Sequence, residues 1–264
     1  MDDSERELLE ETLRKAMTAP ADDRRPREAA LADLGWPEML AEEPAAAIRA
    51  VFRVLGETGA HAPVLNDVLL HEQGRPPGGT LPMPYAGGLW VRWERDAAVG
   101  SAGVDPDLPL RVLPAAGAPV PLALGRQALG WWLLGTGHAM LSLAGRHVLD
   151  RHQFGRPLAS FQALRHKLAE TLVALEGAEA TLDQADGDLS SLLAKAAAGR
   201  AALIAARHCQ QVLGGTGFTA EHELHRHVKR TLTLDGLLGS ARELTREAGR
   251  LIASRGTAPR LVQL

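Results

Sequence analysis

Apolar positions fall into helical register from the start of the chain. In the run 4–17, Leu8, Leu9, Leu13 and Met17 share one face, with Ser4 placed as the N-cap and acidic residues in the first turn. The polar stretch PADDRRP, residues 20–26, interrupts this pattern, and a second helix over 27–34 stops at Gly35. Two more helices are predicted over 44–56 and 62–72, with Pro44 and Pro63 at their starts, where a missing N–H costs nothing. From 74 to 121 the period is lost. Glycine and proline are frequent there, and short β-type runs at 89–93 and 108–113 are bounded by turn residues. Helical spacing returns at 122. The run 122–150 is apolar on most faces, and 160–184 carries Leu164, Leu168, Leu172 and Leu175 on one stripe. The run 189–213 is rich in alanine and stops at Gly214-Gly215, and a last helical region spans 221–255. The pattern predicts a mainly α fold: an N-terminal helical region (1–73), a reduced β/loop insert (74–121) and a C-terminal antiparallel four-helix bundle (122–264).

Composition narrows the function classes. Of 264 residues, 45% are hydrophobic and 23% charged, enough apolar material for a large core. Lys+Arg of 29 against Asp+Glu of 32 gives a net charge of −3, which argues against a basic nucleic-acid binder. With Cys209 as the single cysteine, neither an intrachain disulfide nor a cysteine-rich metal site can form, and Cys209 reads as a small core residue. The opening MDDSERELLEETLRK lacks the apolar stretch of a secretory signal, and no 18-residue run reads as a membrane span. The expectation is a cytoplasmic protein with no membrane and no nucleic-acid partner.

Three segments carry candidate chemistry. Arg151-His152-Gln153-Phe154-Gly155-Arg156-Pro157-Leu158, followed by Phe161-Gln162, offers two guanidiniums, a flat aromatic and two amides between two long helices. Such a set suits an anionic, aromatic cofactor; read alone, it fits better an ordinary connection with solvated arginines. Next come Gln211 to Phe218, reading QVLGGTGF. Gly215, Gly217 and Ala220 have the letters of a dinucleotide fingerprint, but the segment before them is helical rather than a strand. The glycines therefore read as a helix stop or as bare backbone that a phosphate can approach. In the third segment, EHELHRHVKR from Glu221 to Arg230, the histidines do not form H-E-x-x-H. No metal is expected, and the run reads as a solvated or phosphate-facing basic turn. No G-x-S-x-G elbow and no P-loop occur.

In this order on a helical background, the three segments resemble the acyl-CoA dehydrogenase family. R-x-x-F-G-x-x-(L/I)-x-x-x-Q is met by Arg151, Phe154, Gly155, Leu158 and Gln162, and Q-x-x-G-G-x-G-(F/Y) by Gln211 to Phe218. The run GFTAEHELHRHVKR resembles GFT-x-EH-x-LHR-x-x-(K/R)R. The resemblance covers about residues 122–251 and, more weakly, Ala30 to Trp36. It implies a helical domain, a β domain and a bundle, with each FAD clasped between two subunits. It also implies oxidation of acyl-CoA thioesters to enoyl-CoA, a glutamate removing the α-proton and FAD taking a hydride. By the same resemblance Arg151, Gln153, Phe154 and Gln162 meet a neighbouring subunit's FAD, while Gln211, Gly214 and Gly215 approach its pyrophosphate. Guanidinium and backbone N–H groups suit a diphosphate.

The chain departs from the family in two places. The insert at 74–121 is far shorter than the family's β domain and shows no flavin-facing strand motif. The family's two positions for the glutamate fall on Gly239, counting on from Arg230, and on Gly125, counting back from Phe154. Arg126, next to Gly125, matches a family arginine. No catalytic residue is therefore expected in this chain, with Asp235 and Glu243 as the remaining candidates, each four residues from Gly239. The chain resembles the small partners of heteromeric acyl-CoA dehydrogenases of actinobacterial steroid breakdown. That implies a full-length acyl-CoA dehydrogenase-like partner, in an α2β2 assembly, supplying the β domain, the acyl-CoA cleft and the base. The rivals are a complete homomeric enzyme using Asp235 or Glu243, and a flavin-free structural bundle.

Overall fold

Five helices open the computed structural model, which describes residues 3–19, 27–95 and 103–258. They are α1 (Asp3–Thr18), α2 (Arg27–Asp33), α3 (Trp36–Glu42), α4 (Pro44–Thr58) and α5 (Leu65–Glu72). The expected break at 20–26 lies outside the described residues. Ser4 is not the N-cap: it falls inside the first turn of α1. The helix α3 was not predicted. Gly35 at φ 81° turns the chain, and Pro37 restarts it as a helix at the position where proline fits.

Three short strands follow, β1 (Pro82–Tyr85), β2 (Leu89–Trp93) and β3 (Leu110–Leu113). They form an antiparallel sheet in sequence order, with Met83 opposite Val91 and Val91 opposite Val112. β1 escaped prediction because Pro82 and Pro84 break up its alternation; proline is tolerated there because β1 is an edge strand. The strand expected over 108–113 is confined to Leu110–Leu113.

The sheet is tied to the helices by buried polar groups. Asn66 on α5 donates to the Trp93 carbonyl at 3.1 Å. Asp67 accepts from Trp36 Nε1 at 3.2 Å and from the Gly78 N–H at 2.9 Å, and pairs with Arg95. Trp93 stacks on Trp132 with ring centroids 5.5 Å apart, and Phe52 meets Trp132 edge-on at 5.6 Å. One hydrophobic core therefore runs through the early helices, the sheet and the bundle.

The bundle comprises α6 (Ala123–Asp150), α7 (Gln162–Asp183), α8 (Asp188–Leu213), α9 (Leu224–Gly236) and α10 (Ala241–Arg255). Gly130 of α6 faces Leu182 of α7, and Gly137 faces Leu175, so the two helices run antiparallel. α4 crosses α6 backbone to backbone. A Cβ at Gly56 would lie 2.3 Å from the Trp132 carbonyl oxygen, and one at Gly135 2.2 Å from that of Arg53.

The last helical region is not one helix, as the period suggested, but two. Leu238 (φ 54°) and Gly239 (φ 100°) break it, and Ser240 and Glu243 cap α10 reciprocally. α8 corrects a second expectation. By length and composition the stretch Asp188–Phe218 could cross a membrane, with mean hydropathy 1.3, yet 67% of that window is buried inside the protein.

Candidate functional site

After α6 the chain turns through a two-stranded ribbon, β4 (His152–Gln153) and β5 (Arg156–Pro157). The two residues between them, Phe154 and Gly155, have φ of 54° and 76°. Positive φ at both centres is the type I′ hairpin turn, which Asn-Gly fills with little strain. A phenylalanine there is held at a cost of about 1–2 kcal/mol. Its side chain is 89% exposed, with an edge contact to Phe161 at 6.2 Å between centroids. The Arg156 guanidinium lies over the Phe161 ring at 4.2 Å. Arg151, Gln153 and Gln162 are exposed beside this turn.

α8 ends beside the same turn. A second hydrophobic cluster joins Val148 of α6, Val212 and Leu213 of α8, Leu158 and Leu164 after the ribbon, and Leu224 of α9. The helix stops at Gly214 (φ 61°), and residues 214–218 form a tight 3-10 turn. Gly217 is demanded by packing, since a Cβ would meet the Gln210 carbonyl oxygen at 2.8 Å. Gly215 is not: its φ is not positive and a Cβ would meet nothing within 4 Å. Among the described residues nothing requires glycine there, and Gly215 is exposed. Gln211 is exposed, and Phe218 is 65% exposed.

The first and third segments also meet electrostatically, at His147 of α6. Burial lowers the pKa of His147, and the charges of His222 and Arg151 lower it further. The structure thus gathers Arg151, Gln153, Phe154 and Gln162 with Gln211, Gly214 and Gly215 at one end of the bundle.

The third segment corrects an expectation. It is not a solvated basic turn throughout, because helix α9 turns His227 and Arg230 inward. Arg230 pairs with the buried Asp105 and donates to the carbonyls of Gly59 (3.3 Å) and Ala60 (2.9 Å). His227 falls to a pKa of about 4, through burial first and then the charges of Arg226 and Arg230.

The two glycines at the family's base positions are closed in by hydrocarbon. A Cβ at Gly125 would meet Leu69 Cδ2 at 2.5 Å and Leu238 Cδ1 at 2.9 Å, and one at Gly239 would meet Leu244 Cδ2 at 2.8 Å. The carbonyls of Gly239 and Asp235 accept from the fully buried Lys195, whose pKa burial lowers to about 7. Asp235 accepts the Ala241 N–H at 3.0 Å. Glu243 accepts N–H groups from Gly87 (2.8 Å) and Ser240 (3.0 Å), and these hold its carboxyl below the usual range. Both candidates are thus committed to backbone. A carboxyl that sequence reasoning missed does lie beside Gly125: Glu72 accepts the Leu124 N–H at 3.2 Å, and burial raises its pKa. Its signal was faint, a lone glutamate at the end of a short helix.

One set of metal-type side chains comes together among the described residues, His138, Glu176 and Glu179, with ligand atoms within 4.8 Å of one another. Glu179 is already paired with Arg49 and Arg53, which removes the excess negative charge a cation needs.

Residues 118–250, 133 of 264, match the acyl-CoA dehydrogenase C-terminal domain family. The chain belongs to the acyl-CoA dehydrogenase family. It is 34% identical to acyl-CoA dehydrogenase FadE34 of Mycobacterium tuberculosis over 193 residues, 64% of this chain and 27% of that one. The chain thus spans about a quarter of this curated relative. Solved acyl-CoA dehydrogenase-type structures share the fold. A variant of the Tcur3481-Tcur3483 steroid ACAD superposes with a TM-score of 0.70 at 19% identity, covering 96% of this chain and 99% of that one. The ChsE4-ChsE5 complex of Mycobacterium tuberculosis gives 0.70 at 18% identity, covering 98% and 99%. Shared membership explains the order of the three segments. The acyl-CoA dehydrogenase bundle is retained here with a three-stranded sheet in front of it.

Proposed function

We propose that this chain is a subunit of a flavin-dependent acyl-CoA dehydrogenase, contributing one side of a shared FAD site while an unlike subunit contributes the catalytic base. Phe154 carries the reading. A strained aromatic at the tip of a type I′ turn is 89% exposed and buries little beyond its edge contact with Phe161, and strain of this kind persists where function needs it. Arg151, Gln153 and Gln162 stand around it, and Gln211, Gly214 and Gly215 offer an amide and open backbone. Guanidinium, amides and bare N–H groups next to an exposed ring fit a flavin's diphosphate and its aromatic end. FAD, when bound, accepts the hydride taken from the acyl chain.

Removing the α-proton needs a base within hydrogen-bond reach of that carbon. Gly125 and Gly239 cannot accept a proton, and Asp235, Glu243 and Glu72 are all engaged by backbone N–H groups. The base, the β domain and the CoA cleft therefore belong to a full-length acyl-CoA dehydrogenase-like partner in an α2β2 assembly. A bulky, steroid-derived acyl group is the substrate class proposed, in keeping with the likeness to a steroid ACAD and to the two-component ChsE4-ChsE5 complex.

Purified alone, the protein should be flavin-poor and inactive with acyl-CoA. With its partner it should form a complex holding fewer FAD molecules than chains. In that complex Arg151→Ala should weaken FAD binding about 10- to 150-fold, the loss of one charge-assisted hydrogen bond, with helicity unchanged. A lone, yellow, active homo-oligomer would refute the reading. The test would then move to Glu72→Gln, Asp235→Asn and Glu243→Gln.

A further inference from the structure

Of its 22 residues, α7 buries only Thr171, Leu175, Ala178 and Leu182 against the rest of the chain. Two positions along an α-helix turn about 200°. Ala169, Val173, Gly177 and Ala180 therefore form the stripe that faces directly away from the core. All four are exposed, Val173 by 72%, and Leu172 beside them is exposed as well. The outward face of a solvated helix carries polar and charged residues, whereas this one is apolar for about three turns. Gly177 weakens the helix, and a Cβ there would meet nothing within 4 Å, so nothing among the described residues requires it. Small residues on such a stripe let a second helix come close.

The charges of α7 run against its own dipole. Arg165, His166 and Lys167 stand near its N-terminus, and Glu176, Glu179 and Asp183 near its C-terminus, with Glu170 between. A helix favours the reverse order. An antiparallel helix of the same sequence sets each basic half beside an acidic half, while a parallel one sets like charges together. Arg165, Leu172, Glu176 and Asp183 share one flank, because their separations are close to whole turns. Across a two-fold axis at Val173 this flank meets its own copy reversed. Leu172 then comes beside Leu172, and Arg165 comes opposite position 181, between Glu176 and Asp183 of the copy. Glu179 and Asp183 are already held by Arg49. Arg165 and Glu176 have no salt-bridge partner among the described residues.

We infer that the outward face of α7 is a self-association surface, on which two copies of this chain pair antiparallel with Val173 of each at the two-fold axis. This does not depend on the flavin reading. The test is sedimentation velocity of the full chain over a dilution series. The protein should be a dimer that dissociates on dilution, since one helix pair roughly 33 Å long is a small interface. Val173→Glu should be monomeric with unchanged circular dichroism, because position 173 faces solvent in the single chain. Arg165→Glu and Glu176→Arg should each raise the dimer dissociation constant about tenfold or more, through like charges brought together twice. The double variant Arg165→Glu/Glu176→Arg should restore dimerisation to within a few-fold. A chain that stays monomeric at every concentration overturns the inference, as does a dimer that survives Val173→Glu. Failure of the double reversal to restore the dimer overturns the antiparallel pairing. A monomeric chain whose Val173→Glu variant no longer binds the unlike subunit would give this face to that subunit instead.

Discussion

Arg230 and His227 place ionisable groups where water does not reach, and each does so on a buried face of α9. Burial lowers the pKa of His227 and of His61 from 6.5 to about 4. Between those values the unfolded chain binds more protons than the folded one, so stability falls as the pH drops from 6.5 towards 4. The urea midpoint should fall over that window, and less steeply in His227→Gln; equal slopes would show that His227 stays solvated. Lys195 acts at the other end of the scale. Its folded pKa of about 7 lies below the unfolded value of 10.5, so stability rises with pH between the two. Lys195→Met should remove that rise. Breaking the Arg230–Asp105 pair is the severe change. Arg230→Met leaves Asp105 buried and uncompensated, at a cost of about 3–5 kcal/mol, measurable as a shifted urea midpoint. The sequence showed Arg230 as one charged letter in a basic run. Its buried partners are residues 59, 60 and 105, far away in the chain, which no local pattern reports.

Between elements, the tightest constraint is the crossing of α4 and α6. Gly56→Ala would drive a methyl against backbone, which cannot rotate away. Forced overpacking costs about 1–3 kcal/mol, and the melting temperature should drop by roughly 3–10 °C. Gly145→Ala, in α6 but with open space around it, should stabilise by about 0.5–1 kcal/mol. Both positions looked alike as letters in a helical run. By contrast, the cap of α10 was written plainly: Ser240-Ala-Arg-Glu243 is a capping-box sequence, and the helix starts there. Reading it would have split the long region at 221–255. β1 was hidden for the opposite reason, since its partners and not its own prolines make it a strand.

At the scale of the whole molecule, the bundle is not a free-standing unit. Trp132 of α6 is packed by Phe52 of α4 and Trp93 of β2. Residues 122–264 expressed alone should therefore lose the broad-cooperative melt of the full chain, seen as a transition that near-ultraviolet circular dichroism no longer follows. Trp93→Ala in the full chain should destabilise by about 3–5 kcal/mol, lowering the bundle's melting as well as the sheet's. A bundle that melts unchanged without Trp93 would show the sheet to be an independent appendage.

The sequence by itself determined the mainly α fold, the place of the reduced sheet and the family, because periodicity, glycine stops and the three ordered segments are local signals along one chain. The family resemblance named the exposed residues of the three segments, but that these segments share one hydrophobic cluster is a result of packing. The tertiary structure alone decided that Asp235 and Glu243 are tied to backbone N–H groups, that Glu72 stands beside Gly125, and that Arg230 is buried. Those facts depend on which groups lie within about 3 Å of one another. Such distances are set by chain segments that are remote in sequence and close only once the core has packed.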